Sequence, residues 1–159
     1  MLVVPFAFIL RINKLTNTQQ EGSFVIPGNP LPQKRHRSTF RGGKPRNYDP
    51  SAQDKKKFKA MVGELGVESA LEGDISLNVT FYMPRPKKHY RTGKYSHLLK
   101  KDSPVWHSTK PDIDNLVKFV MDALQGMLWS DDCKIVRLET SKVYSKKPRT
   151  EIEYWRMDE

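Results

Sequence analysis

Asp112-Ile113-Asp114-Asn115-Leu116-Val117-Lys118-Phe119-Val120-Met121-Asp122-Ala123-Leu124-Gln125-Gly126-Met127-Leu128 is the stretch around which the chain organises itself. Leu116, Val120, Ala123, Leu124 and Met127 recur at helical spacing, which predicts a helix over Ile113 to Leu128 with a wide apolar face. Downstream, the patterns of Ile135 to Tyr144 and Thr150 to Trp155 predict two strands, joined by a Ser145-Lys146-Lys147-Pro148 turn. Upstream, Ile75, Leu77, Val79 and Phe81 alternate with Ser76, Asn78 and Thr80, as in a half-buried strand. Further back, Phe58, Met61, Val62 and Leu65 fall at i, i+3, i+4 and i+7, a second helix with Asp49 or Ser51 as its cap. Ser23 to Pro27 is a short opening strand. The order β-α-β-α-β-β predicts an α+β single domain, a mixed β-sheet with helices packed against it.

A length of 159 residues suits one domain, and 37% hydrophobic residues suffice for its core. The formal net charge of +10 bears on partners more than on fold. It points first to nucleic acid and second to an anionic membrane surface. The positive charge is concentrated in two loops. Gln33 to Tyr48 carries Lys34, Arg35, Arg37, Arg41, Lys44 and Arg46 without an acid. Pro84 to Lys110 carries eight Lys or Arg, among them Arg85, Lys87, Lys88, Arg91, Lys94 and Lys110, against the single Asp102. Tyr90, Tyr95 and Trp106 are interleaved there, either to meet nucleic acid or to pack back on the core. Lys34, Arg35, Arg37, Arg41, Arg85, Lys87, Lys88, Arg91, Lys94 and Lys110 are the expected DNA contacts.

Cys133 stands alone, and His36, His89, His97 and His107 show no ligand spacing, so a zinc site and an intrachain disulfide are both unexpected. A reducing, cytoplasmic setting follows. The apolar run Val3 to Leu10 is too short to span a bilayer and has no basic residue ahead of it. No membrane association is expected. Residues 1–22 are either an extra strand or an extension ahead of a domain covering 23–159.

Acids are scarce, and their placement is informative. Asp112 and Asp114 open the central helix directly after a basic loop, and Asp131-Asp132 follow its end. Two positions apart on a continuous helix, Asp112 and Asp114 would diverge by about 160°. Both reach one point only if Asp112 lies outside the helix, as a cap or in extended backbone after Pro111. The two ends of the helix are roughly 20–25 Å apart. Asp132 therefore meets the other acids only if the following strand folds back along the helix or a second subunit contributes. Asp114, Lys118, Asp122 and Gln125 form one polar stripe. Carboxylates within positive charge suit a Mg²⁺-assisted attack on a phosphodiester, the cations bringing in a polyanion that the acids alone would repel. Lys118, one turn beyond Asp114, is placed to orient the attacking water or to stabilise the phosphate. The plainer alternatives are an N-cap at Asp112, an i,i+4 pair of Asp114 with Lys118, and a turn at Asp131-Asp132.

Lys110-Pro111-Asp112-Ile113-Asp114-Asn115-Leu116-Val117-Lys118, then Asp122-Ala123-Leu124 and Trp129-Ser130-Asp131-Asp132, together resemble the RusA family of Holliday-junction resolvases. Phe24-Val25-Ile26-Pro27-Gly28-Asn29-Pro30 is similar to that family's opening strand and turn, so the likeness runs from about residue 23 to the C-terminus. The resemblance implies Asp112, Asp114, Asp132 and Lys118 as catalytic residues, the three aspartates as ligands of Mg²⁺ or Mn²⁺, and a homodimer that nicks a four-way DNA junction. It also implies that the acids come together in the folded dimer, in a phage or prophage setting. Residues 1–22 have no counterpart in the family, and the Pro84 to Lys110 insertion is longer than in its compact members. No cleavage-site preference is carried over. Two readings stand beside this one: a nuclease for other branched DNA such as forks and flaps, and a non-catalytic DNA-binding protein. No RNP-like or GXXG pattern marks an RNA-binding module.

Overall fold

A computed structural model describes residues 21–67 and 70–157. Strand β4 (Ile75–Pro84) lies within a four-stranded sheet of order β1-β6-β4-β5, with β1 at Glu21–Pro27, β5 at Ile135–Ser145 and β6 at Arg149–Arg156. β5 runs parallel to β4, while β6 is antiparallel to both β1 and β4, so the sheet is mixed. The alternation along β4 sends Ile75, Leu77, Val79, Phe81 and Met83 into the core. Ile152 and Tyr154 of β6 and Phe24 and Ile26 of β1 join them there.

Two helices pack against the sheet, α1 (Ala52–Glu64) and α2 (Ile113–Leu124). α2 buries Leu116, Val117, Phe119, Val120, Ala123 and Leu124, and the Phe119 ring meets Phe58 of α1 edge-on at 5.6 Å. The α+β class, the single domain and the mixed sheet agree with the sequence pattern.

Four details differ from that pattern. α2 ends at Leu124 rather than Leu128, because Gly126 takes a left-handed φ of 74° and its N–H turns to the Trp129 carbonyl. Met127 therefore lies in the turn, half-buried, while Leu128 and Trp129 are buried beyond it. Leu65 sits at the C-terminal cap of α1 and is exposed, outside the expected apolar stripe. The supposed loop from Gln33 to Tyr48 contains a β-hairpin, β2 (Arg37–Arg41) and β3 (Lys44–Tyr48). Its two-residue turn is Gly42-Gly43, both at positive φ, the chemistry that a tight hairpin requires. β1 starts at Glu21; the apolar run Val3 to Leu10, and the question of an extension over 1–22, fall almost wholly outside the described residues.

The basic segment after β4 folds back through two short 3-10 turns, Lys87–His89 and Gly93–Tyr95. It then pairs with the outer edge of β5: His107 N–H donates to the Lys142 carbonyl and Tyr144 N–H to the Val105 carbonyl. Tyr95 and Trp106 remain exposed, whereas Tyr90 is half-buried with the Lys146 ammonium above its ring. The structure thus separates the three aromatics into two that face outward and one that is partly covered.

Candidate active site

The head of α2 is set by its entry. Pro111 delivers extended backbone to Asp112, which sits at the N-cap with φ −71° and ψ 146°. Its carboxylate makes no capping hydrogen bond. The simple cap reading of Asp112 is therefore not what the geometry shows, and the requirement that it lie outside the helix is met. Lys142 of β5 stabilises this entry, its ammonium donating to the carbonyls of Thr109 at 2.7 Å and Pro111 at 2.6 Å.

Asp112 and Asp114 are both exposed, and both line a depression between α2 and β5 together with His107, Ser108, Thr140 and Lys142. A second depression adjoins it, sharing Ile113, Asp114 and Thr140 and continuing along Lys118, Asp122, Leu138 and Asp132. The two form one groove along α2, with Asp114 common to both halves. β5 runs back along the helix, one of the two arrangements the sequence left open, and Asp132, just ahead of it, lines the half of the groove that Asp114 also lines. Among the described residues, however, no three His, Cys, Asp or Glu side chains are close enough to hold one ion. Asp112, Asp114 and Asp132 share a groove without forming a closed cage within one chain.

The other polar groups of the region have distinct occupations. Asp132 accepts a 2.8 Å hydrogen bond from the indole N–H of the buried Trp129 through Oδ1, which orients the carboxylate. Asp131 caps the turn instead, accepting from the Cys133 N–H, and that bond holds its carboxyl below the ordinary range. Asp122 belongs to a different cluster. Lys55 of α1 donates to Asp122 and to Asp49, at 2.8 Å each, tying the two helices together. Burial would raise the Asp49 pKa, but bonds from Lys55, Ser51 N–H and Gln33 hold it down at about 2. Burial likewise opposes the charge on Lys55, and the two carboxylates outweigh it and raise its pKa. Lys118 is exposed, and among the described residues it forms no ion pair with Asp114.

Most of the expected DNA contacts are exposed: Arg35, Arg37, Lys87, Lys88, Arg91, Lys94 and Lys110. Lys34 is exposed as well but pairs with Asp54 at 3.0 Å. Arg85 is half-buried and engaged, donating to the carbonyls of Pro104 and Tyr144 and lying over the Tyr144 ring, so it braces the loop. Arg41 closes β2 beside the turn.

Sequence reasoning missed His107 and Lys142. Burial and the charge of Lys142 hold the His107 pKa down, so the ring is neutral near pH 7. His107 shows no ligand spacing in the sequence, and nothing in the pattern of a strand lysine such as Lys142 announces a bond to the backbone before α2.

A family model described as endodeoxyribonuclease RusA matches residues 27–154. The uncharacterized protein YqaN of Bacillus subtilis (strain 168) is 36% identical over 133 residues, covering 81% of this chain and 92% of that protein. A protein of Lactococcus phage r1t, described as crossover junction endodeoxyribonuclease rusA, is 28% identical over 153 residues, covering 94% of this chain and 97% of that protein.

Proposed function

The chain belongs to the RusA endodeoxyribonuclease family, and from that premise we propose that it resolves four-way DNA junctions as a homodimer, using Mg²⁺ with Mn²⁺ as a substitute. The observation that carries this reading is the pair of exposed carboxylates of Asp112 and Asp114 at the head of α2, in a groove lined also by Lys118 and Lys142, on a chain with exposed cationic loops.

The donor set fits a hard divalent ion, which is satisfied by one or two carboxylates plus water and phosphate oxygens. Asp112 and Asp114 would hold it, with Asp132 as a further ligand. Bound there, the ion supplies an activated water and neutralises charge on the scissile phosphodiester. The protein's own part is positioning. Lys142 fixes the backbone ahead of Asp112, and Trp129 aims Asp132. Lys118, which lines the same groove, would offset negative charge growing on the phosphate. A second copy of the chain brings a second groove, as paired nicks on a symmetric junction require, and completes a site that one chain leaves open.

The relative from Lactococcus phage r1t supports a role in recombination or repair of phage or prophage DNA. The cytoplasm, where such DNA lies, is the setting of this reading. The part of residues 1–22 that precedes β1 is, in this reading, an extension to the nuclease domain. Among the described residues no helix is long and apolar enough to cross a membrane.

The test is nicking of a synthetic four-way junction in Mg²⁺, comparing the wild type with Asp114→Asn. Paired symmetric nicks by the wild type, and binding without cutting by the variant, support the proposal. A wild type that binds the junction but cuts in neither Mg²⁺ nor Mn²⁺ makes the chain a non-catalytic DNA-binding protein. Faster cutting of forks or flaps than of four-way junctions would shift the substrate to those branched forms.

A further inference from the structure

The hairpin of β2 and β3 lines neither half of the groove just described. Its cross-strand partners divide it into two faces, since residues directly opposite one another share a face. Arg37 opposite Tyr48 and Thr39 opposite Arg46 lie on one, with Lys44. Ser38 opposite Asn47 and Phe40 opposite Pro45 lie on the other. The first face is cationic, and no acid occurs between Gln33 and Tyr48 to neutralise it. The second carries Phe40, 80% exposed and one cross-strand pair from the Gly42-Gly43 turn. A phenyl ring so exposed adds nothing to the core. The hairpin's strands extend roughly 15 Å from its base.

Both roots of the hairpin lead to α2. On the outgoing side, the Gln33 N–H donates to the carbonyl of Asn115, the residue after Asp114, and the Lys34 N–H donates to Ser51 Oγ. On the returning side, Asp49 is joined through Lys55 to Asp122. An exposed arm is thus held at its base by the helix that carries Asp114 and Lys118.

We propose that this hairpin reads the branch in branched DNA: its cationic face follows the phosphates, and Phe40 stacks on the bases left open where the strands part. Phosphate contacts position a protein on duplex without distinguishing one site from another. An aromatic ring finds a partner only where base stacking is interrupted, so Phe40 adds preference for the branch over plain duplex. This inference rests on the branched-DNA reading above.

The experiment uses the full chain carrying Asp114→Asn, with and without Phe40→Ala, and a four-way junction with 2-aminopurine at the branch point or deep within one arm. With Phe40 present, binding should raise emission at the branch and leave the arm probe unchanged. Phe40→Ala should abolish the branch signal and weaken junction binding about tenfold, with duplex binding unaltered. Phe40→Trp should restore both. Thermal melts should coincide, because Phe40 packs on nothing that holds the fold. Arg37→Ala with Arg46→Ala should instead weaken junction and duplex alike and lower the salt slope by about two. If Phe40→Ala binds with an unchanged branch signal while the wild type nicks junctions, the hairpin role is wrong and the nuclease reading stands. If Phe40→Ala converts a dimer to a monomer, Phe40 covers protein and the inference is overturned. If the wild type does not bind branched DNA at all, both readings fall together.

Discussion

Asp114 and Asp122 lie on the same face of α2, two turns apart, and line the same groove, yet their surroundings differ completely. Asp122 is held by Lys55, which also holds Asp49, and the three charges sit among packed helices. Asp114 has no cation within ion-pairing distance among the described residues and stays open to solvent, like Asp112. One carboxylate has its charge matched inside the protein; the other leaves it to be matched by something that arrives. Residue type and helical spacing are the same for both, so only the partner distinguishes a joint between helices from a binding group.

The sharpest way to break this contrast is to neutralise each acid in turn. Asp114→Asn should reduce junction nicking at least about a hundredfold with an unchanged melting temperature. Asp122→Asn should do the reverse, lowering the melting temperature while sparing most of the nicking rate. Equal losses of activity would mean that Asp122 also serves the site. Lys55→Met tests the helix joint from its centre. Asp49 and Asp122 would then face each other without a cation, at a cost of about 2 kcal/mol, or roughly 5 °C in a thermal melt.

Acid titration sharpens the same contrast by different means. Because the Asp49 pKa is depressed to about 2, its stabilising contribution is complete above pH 4 and is lost as pH falls toward 2. The Lys55 pKa is raised, so its contribution is complete below the ordinary lysine pKa and is lost only above it. The contribution of this cluster to the melting temperature should therefore be level between about pH 4 and 10, with its acid shoulder reduced in Lys55→Met to what the Ser51 N–H and Gln33 bonds to Asp49 still supply. A shoulder of undiminished size in the variant would assign acid sensitivity to other groups. The smallest effect belongs to Asp132. Asp132→Asn keeps an acceptor for the Trp129 indole and should leave stability unchanged while impairing nicking. Asp132→Ala should cost about 1 kcal/mol more in a denaturation experiment.

Much of the fold was legible because β4, β6 and α2 carry clean periodicities, and burial enforces those patterns. The hairpin was not, because its alternation involves charged and polar residues that bury nothing; only Gly42-Gly43 signalled it. Within the site, the local requirement on Asp112 followed from helix geometry alone. The placing of Asp114 and Asp132 along one groove did not, since it depends on the direction in which β5 leaves the turn after α2. The separate task of Asp122 was equally hidden. It lies in a tertiary contact with Lys55, a residue that sequence shows only as one of several lysines on α1.

The bond from Lys142 to the carbonyls of Thr109 and Pro111 has a consequence for how the molecule matures. Lys142 is aimed at those carbonyls only while β5 keeps its alignment with β4, in which Phe81 stands beside Lys142. A slip of one residue would turn Lys142 to the opposite side of the sheet and release the backbone that presents Asp112. Under the proposed role of Asp112, competence to cut would be withheld until the strands have aligned, and a misaligned copy would be a harmless one.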